Sequence, residues 1–326
     1  MSSEAKDFPF LAYLDELMEQ LHKNVPKALR DFDGEAVHDA RVATRRLKAA
    51  MELLAPVLSD HHRHPFEKVL KKLRKRLGPL RDLDVMIERL SEMSSNAAAR
   101  WLCDELIRLR EKEREKAGKK AVPADVLAKL SSWWGVRDEI VEARDAIDSL
   151  VSESLHLQFD AFAEQASQLN RESPAEPRDP HELRIAGKIL RYTLEMAKEQ
   201  GHKLPASVLR AFKKMQEALG NWHDDVVLIQ CMMQTSLDRQ LSYHQLDLQE
   251  GLLKLSRTFL GRGNRELARF SKLWQKQGEE VAQTIRGKFP LTRAVVSEPQ
   301  TDHGPADSGA TPAPSAGVPP DVASTA

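Results

Sequence analysis

A pattern of basic residues occurs twice in the sequence, at a fixed separation. In each copy, a histidine is followed three, seven and ten positions later by a basic residue. The copies are His38, Arg41, Arg45 and Lys48, and, 143 residues later, His181, Arg184, Lys188 and Arg191. Further along, KKLRKRLGPLRDLDV from Lys71 corresponds to KKMQEALGNWHDDVV from Lys213, at an offset of 142. Self-similarity at a nearly constant offset indicates two copies of one structural unit, so we predict two related halves.

The composition and the hydrophobic pattern favour helices. The chain is rich in Leu, Ala, Glu, Lys and Arg and has only 15 Gly in 326 residues, and its apolar residues recur at three- and four-residue spacing. We therefore predict an all-α fold of two helical bundles related by pseudo-twofold symmetry, with extra helices and a disordered C-terminal tail. The predicted helices cover residues 8–31, 35–58, 64–77, 80–93, 97–117, 136–170, 180–200, 205–219, 222–236, 241–262 and 265–286.

Two interruptions suggest the domain boundaries. The segment GKKAVPADV from Gly118 breaks the helical pattern with Gly and Pro. From Ser297 onward there are six prolines and no Lys or Arg, a composition that cannot bury a core. We predict a first helical half over residues 1–130, a second over 131–290 and a disordered tail over 291–326.

The basic residues fall on single helix faces. On a helical wheel the four side chains of the first copy lie within about 80° of one another, opposite an apolar side, and the second copy repeats this arrangement. A further helix carries lysines opposite an apolar side, and its repeat is less basic because Glu217 replaces Lys75. The lysines are Lys68, Lys71, Lys72 and Lys75, and their basic counterparts in the repeat are Arg210, Lys213 and Lys214.

The formal net charge of zero hides an uneven distribution of charge. Residues 35–81 hold 12 Lys/Arg against 5 Asp/Glu, and residues 181–214 hold 8 against 3. Like charges stacked along a helix repel one another unless an anion neutralises them. Arginine presents a planar fork of donors to phosphate oxygens, lysine adds point charge, and protonated histidine also donates. The faces therefore predict a polyanionic ligand that resembles a chain of phosphates.

Neither a membrane anchor nor a cofactor is predicted. The N-terminus lacks a basic segment followed by an apolar one, and no stretch approaches the ~18 apolar residues of a membrane span. The two cysteines, Cys103 and Cys231, have no metal-binding spacing and suit a reducing compartment. We expect a cytoplasmic protein that holds no metal or cofactor.

A metal-dependent phosphohydrolase is one alternative function. It is suggested by His38 with Asp39, by His223 with Asp224, and by the histidine cluster at residues 61–64. Adjacent residues on a helix point about 100° apart, which is poor geometry for one ion. Four aspartates are also acidic catalytic candidates, although they could equally orient neighbouring arginines: Asp82, Asp84, Asp224 and Asp225. We do not expect an enzyme.

Binding of nucleic acid, or of an acidic protein segment, is the other alternative. Phosphate contacts dominate nucleic-acid affinity as well, but recognition of bases commonly adds aromatic stacking or a groove-reading helix. Neither accompanies the basic faces. A regulatory adaptor whose basic groove holds an acidic segment stays open.

The sequence resembles the CHAD domain family over roughly residues 8–290. The resemblance rests on VHDARVATRRLK from Val37, on HELRIAGKILRYTLE from His181, and on the paired segments LGPLRDLDV and LGNWHDDVV. It implies two four-helix bundles around a basic groove or pore that binds inorganic polyphosphate, and association with polyphosphate granules. Some relatives add a triphosphatase module with a Glu-x-Glu-x-Lys motif, which this chain lacks, so the resemblance does not imply hydrolysis.

The resemblance also implies a set of ligand contacts. By position these are His38, Arg41, Arg45, Lys48, Lys68, Lys71, Lys72, Lys75, Arg81, His181, Arg184, Lys188, Arg191, Arg210, Lys213 and Lys214. His223 stands where Arg81 stands in the first half, so the two halves of the surface are not identical. The implied partner is inorganic polyphosphate, whereas membrane and nucleic acid are not expected.

Overall fold

Amphipathic helices make up nearly all of the chain described by the computed structural model, which covers residues 8–118, 123–169, 180–237 and 245–290. The helices are α1 Pro9–Arg30, α2 Gly34–Leu54, α3 Asp60–Ser91, α4 Ala97–Gly118, α5 Pro123–Leu130, α6 Trp133–Glu142, α7 Ile147–Leu169, α8 Pro180–Glu199, α9 Ala206–Ser236 and α10 Leu246–Lys288. A 3₁₀ turn, Arg144–Ala146, joins α6 to α7. These ranges contain no β-strand, which confirms the predicted all-α class for them.

Local capping sets the start of the two helices that carry most of the first basic segment. The carboxylate of Asp33 accepts a hydrogen bond from the backbone N–H of Ala36 at 2.8 Å, immediately before α2. The hydroxyl of Ser59 accepts from the backbone N–H of His62 before α3. Each side chain satisfies a backbone donor that has no partner within its helix, so the helix begins at a defined residue.

Three predicted helix breaks do not occur. Residues 64–77 and 80–93 lie in the single helix α3, although Pro79 is inside it. Helices α9 and α10 likewise run through the predicted breaks at about residues 220 and 263. The buried stripe of Leu77, Leu80 and Leu83 continues across Pro79, so core packing outweighs the single backbone donor that proline removes.

One predicted helix is interrupted instead. Residues 136–170 divide into α6 and α7, with the 3₁₀ turn between them. Helix α6 packs against α3, whereas α7 packs against α8. The chain changes direction here because the two stretches bury their apolar sides against different partners.

Two apolar cores organise the described residues. The larger combines α1, α2, α6, α7, α8 and the end of α5 with the first parts of α3 and α9 and the later part of α10. The smaller lies between the later parts of α3 and α9, together with α4 and the start of α10. Helices α3 and α9 therefore pass through both cores. The predicted domain division at residues 130 and 131 stays a prediction, and the predicted disordered tail, 291–326, lies outside the described residues.

Helices α2 and α8, which carry the two copies of the basic pattern, pack against each other. Arg46 of α2, which points away from the basic stripe on an ideal wheel, donates from Nε to Glu195 of α8 at 2.8 Å. This contact brings the two stripes to one place in the molecule. In the described part of the chain, no helix is both long enough and apolar enough to cross a bilayer.

Candidate functional site

A cleft of about 800 Å³ lies among α2, α3, α8 and α9, and we call it the basic cleft. Eight Lys and Arg residues line it against three acids. The cations are Arg41, Arg45, Arg74, Arg81, Arg184, Lys188, Arg191 and Lys213, the acids are Asp82, Glu217 and Asp224, and His38 and His223 also line it. Five of the eight cations belong to the two copies of the basic pattern.

The α2/α3 wall of the basic cleft is built around Arg41. Its Nη1 donates to the backbone carbonyl of Arg74 at 3.3 Å, and its Nη2 lies 3.6 Å from the carboxylate of Asp82. A Cβ at Gly78 would lie 3.0 Å from Arg41 Nη1, so the glycine allows the guanidinium to approach α3 closely. Burial and the nearby Arg45 lower the pKa of Arg41. Arginine remains charged at neutral pH despite such a shift.

The α8/α9 wall repeats this construction with different contacts. A Cβ at Gly187 would lie 2.0 Å from the Nε2 of Gln216, so a larger residue here would require the Gln216 side chain to move. Lys213 lies 3.8 Å from Glu217. Arg191 lies 3.5 Å from Glu195, and this wall therefore neutralises part of its own charge.

Five cations of the basic cleft have no carboxylate within 4.0 Å among the described residues. They are Arg45, Arg74, Arg81, Arg184 and Lys188. The buried Nε donors of Arg41 and Arg184, at equivalent positions of the two copies, also have no hydrogen-bond acceptor in this part of the chain. Buried donors without acceptors cost free energy. An anion with several oxygens could satisfy them.

The environment of the basic cleft lowers the pKa of two groups. Burial, together with the charges of Arg184 and Arg45, lowers the pKa of Lys188 to about 7. Burial and the charge of Arg81 lower the pKa of His38 below its ordinary value. Burial is the main cause of both shifts and the neighbouring cations add to it, and a bound anion would oppose them.

The four candidate aspartates all pair with arginines. Asp82 lies beside Arg41, and Asp84 beside Arg110 of α4. Arg89 of α3 crosses to α9, where its guanidinium lies 2.6 Å from Asp225 and 3.4 Å from Asp224. These contacts give the aspartates the arginine-orienting role that was one of the two predicted alternatives.

The buried Arg89 contact joins α3 to α9 within the smaller core. The Asp225 side chain is fully buried and also lies 3.7 Å from Arg262 of α10. Burial raises the pKa of Asp225 although both arginines lower it. Arg89 also donates to the side-chain oxygen of Asn221 at 3.0 Å. Arg89 thus contacts three side chains of α9, and one of them, Asp224, also lines the basic cleft.

The structure brings half of the predicted contact residues into the basic cleft. Those that line it are His38, Arg41, Arg45, Arg81, Arg184, Lys188, Arg191 and Lys213. Lys68 and Lys72 line a separate cavity, and Lys48 pairs with Glu52. The imidazole of His181 lies 5.2 Å from that of His223, which lines the cleft. Four more are exposed and do not line the cleft: Lys71, Lys75, Arg210 and Lys214.

Two basic residues of the cleft were not among the predicted contacts. Arg74 precedes Arg81 by seven residues, which places both on one face of a continuous helix. The predicted break at Gly78–Pro79 separated them, so this signal was not available. His223 was identified only as the counterpart of Arg81, and the structure places it in the cleft.

Two of the histidines that suggested a metal site lie beside carboxylates on other positions of the fold. His62 Nδ1 lies 2.7 Å from Glu139 Oε1, and His64 Nε2 lies 3.3 Å from Asp60. The described ranges contain no group of three or more His, Cys, Asp or Glu side chains that could hold a metal ion.

The comparison with known families assigns the chain. The CHAD domain model matches residues 12–232, and the chain therefore belongs to the CHAD domain family. This confirms the family that the four sequence motifs indicated. No curated protein matches the chain.

Two solved structures share the fold. The crystal structure of the CHAD domain from the plant Ricinus communis has a TM-score of 0.55 and 19% sequence identity, and the match covers 88% of this chain and 92% of that one. PptA from Streptomyces chartreusis has a TM-score of 0.59 and 16% identity, over 82% of this chain and 98% of that one. At these identities the similarity shows a common fold.

Proposed function

We propose that this CHAD-domain protein binds inorganic polyphosphate in the basic cleft. The observation that carries the proposal is the excess of eight Lys and Arg over three acids, with five of the cations outside ion-pair distance of any described carboxylate. The cleft lies between two walls that repeat one sequence pattern. In this proposal the walls belong to two four-helix bundles related by pseudo-twofold symmetry.

A phosphate chain suits the chemistry of this surface. Arg45, Arg74 and Arg81 on one wall face the same cleft as Arg184 and Lys188 on the other. Consecutive phosphates of one chain can contact both walls, and arginine forks bind such oxygens in pairs. Contact displaces counterions from the polyanion, so the affinity should fall steeply with salt concentration.

The basic cleft offers little that would recognise nucleobases. Of the described Phe, Tyr and Trp side chains, only Tyr192 lines the cleft. Tyr192 is buried, and the guanidinium of Arg191 lies 4.9 Å from its ring centroid. Bases bind on exposed aromatic faces. A polyanion without bases therefore fits the lining better than a single-stranded nucleic acid.

The proposal includes binding without chemistry on the phosphate chain. The acids of the cleft lie beside cations, as in the contacts of Asp82 with Arg41 and of Asp224 with Arg89. We expect the bound polyphosphate to be retained at its original length, and the protein to associate with polyphosphate granules in the cytoplasm.

Calorimetric titration of the full chain with long-chain polyphosphate tests the proposal, with duplex DNA and triphosphate as comparators, at two salt concentrations. We expect preference for polyphosphate and weaker binding at the higher salt. The variant Arg45→Gln with Lys188→Gln should lose about tenfold or more in affinity, since contacts to charged groups are each worth about 1.5–3 kcal/mol. It should also have a shallower dependence on salt.

The matched control is Lys71→Gln with Lys75→Gln, which replaces two basic residues at exposed positions of α3 outside the cleft. Lys71 and Lys75 are among the contacts that the resemblance implies, so equal losses in the two variants would mean that binding is not confined to the cleft. Equal or tighter binding to duplex DNA would support the nucleic-acid alternative, and no binding to any probe would end the proposal.

A further inference from the structure

A second cavity, which we call the lateral cavity, lies between α3 and the segment that begins with α5. Its volume is about 720 Å³, and none of its lining residues lines the basic cleft. Lys72 points to the lateral cavity and Arg74 to the basic cleft, and residues two positions apart on a helix are roughly 160° apart around its axis. The two sites therefore use opposite faces of the same helix.

The floor of the lateral cavity is apolar. Leu73 of α3 belongs to the larger core, and Val69 and Val126 pack against that core from α3 and α5. Pro65 and Ala128 add further apolar surface. A ligand pocket of this size range, lined mostly by apolar groups with a few placed charges, typically binds the body of an organic molecule.

The rim of the lateral cavity is cationic. Lys68, Lys72 and Arg76 line it from α3, and Lys129 lines it from α5. Asp125 is the one acid of the lining, and none of the four cations lies within 4.0 Å of a carboxylate among the described residues. Burial lowers the pKa of Arg76. An anionic group at the rim would offset the repulsion among these charges.

An apolar floor and a cationic rim are complementary to one kind of ligand. A phosphate chain would satisfy the rim, but some of its charged oxygens would then lie against the apolar floor. Those oxygens would lose water without gaining hydrogen bonds in return. A purely apolar molecule would leave the cations unpaired. We propose that the lateral cavity binds an amphipathic organic anion, with a single acyl or alkyl chain on the floor and a carboxylate or phosphate at the rim.

Calorimetric titration of the full chain with octanoate tests this proposal, with acetate and 1-octanol as probes that lack the chain or the charge. We expect saturable binding of octanoate, and weaker binding of both comparators by about tenfold or more. Extending the chain to decanoate should tighten binding by about tenfold, because each buried methylene contributes about 0.8 kcal/mol. Absence of octanoate binding, or octanoate binding no tighter than acetate, would overturn the proposal.

Matched variants separate the two sites. Lys72→Gln with Arg76→Gln removes two rim charges and should weaken octanoate binding by about tenfold or more. Lys71→Gln with Lys75→Gln changes two residues that line neither cavity, and it should leave the octanoate affinity unchanged. Equal effects of the two variants, or displacement of octanoate by polyphosphate, would contradict a separate site.

The inference stands apart from polyphosphate binding. Arg45→Gln with Lys188→Gln should change polyphosphate affinity and leave octanoate affinity unchanged, because neither residue lines the lateral cavity. Failure of the octanoate experiment leaves the basic cleft unaffected, and failure of the polyphosphate experiment leaves the lateral cavity unaffected.

Discussion

The two walls of the basic cleft derive from the same sequence pattern but differ in how much of their charge is compensated. On the α2/α3 wall, four arginines face the single acid Asp82. On the α8/α9 wall, four cations face Glu217 and Asp224, and Glu195 on α8 lies beside Arg191. The first wall therefore keeps more unpaired positive charge than the second.

This difference shows that a repeated motif does not guarantee a repeated binding surface. The helix faces are equivalent because their local periodicity is equivalent. Their electrostatics differ because residues outside the periodic stripe changed, such as Arg74 to Gln216 and Lys75 to Glu217 between the two halves. We expect the α2/α3 wall to contribute more of the affinity for a polyanion.

The largest expected effect concerns the buried contact between Arg89 of α3 and Asp225 of α9. Arg89 has no counterpart in the repeat, where the equivalent position is Cys231, and Asp225 corresponds to Leu83. The variant Arg89→Met leaves the carboxylate of Asp225, which is 0% exposed, without its 2.6 Å partner. We expect the free energy of unfolding, measured by denaturant titration, to fall by about 3–5 kcal/mol.

A second variant checks that the loss comes from the unpaired charge. Arg89→Met with Asp225→Leu, which introduces the residue that the first half has at this position, should recover most of the stability. If the double variant is as unstable as Arg89→Met alone, the arginine stabilises the molecule by packing and not by pairing with Asp225.

The next effect compares the two walls directly. Arg45→Glu with Arg81→Glu reverses two charges on the first wall, and Lys188→Glu with Lys213→Glu reverses two on the second. By calorimetry we expect affinity losses for polyphosphate of about 100-fold or more on the first wall and about tenfold on the second, where acids already compensate part of the charge. Equal losses would show that the two walls contribute equally despite their different acids.

The smallest effect is a dependence of binding on pH that arises from the second wall. The pKa of Lys188 is about 7 in the free protein. A bound polyanion would raise this pKa, so binding would take up a proton, and the affinity should fall by roughly tenfold between about pH 7 and pH 8.5. Calorimetry in buffers of different ionisation enthalpy measures that proton uptake.

Stability without ligand should have the opposite dependence on pH. Above about pH 7 the unfolded chain keeps a proton on Lys188 that the folded protein has lost, so the free energy of unfolding should rise with pH up to the ordinary lysine pKa. Lys188→Arg retains the charge and should remove both dependences. If its affinity falls with pH as in the unchanged protein, another group is responsible.

Much of the fold was predictable because helix formation is periodic. The predicted helices 8–31, 97–117 and 180–200 agree closely with α1, α4 and α8. The break predicted at Pro79 was wrong. Local propensity favours the end of a helix at this proline, but the buried leucines on both sides of it keep α3 continuous. Arg74 was missed for the same reason, since its relation to Arg81 depends on α3 being continuous.

The sequence by itself determined the all-α class, the family and the cationic faces of α2 and α8, because each depends on spacings within one helix or on a motif. Only the tertiary structure decided which cations meet in the basic cleft, which of them lie beside acids, and that Lys188 is buried enough to change its pKa. Burial and pairing depend on side chains from helices far apart in sequence, such as Arg46 with Glu195. Spacing along the chain does not contain that information.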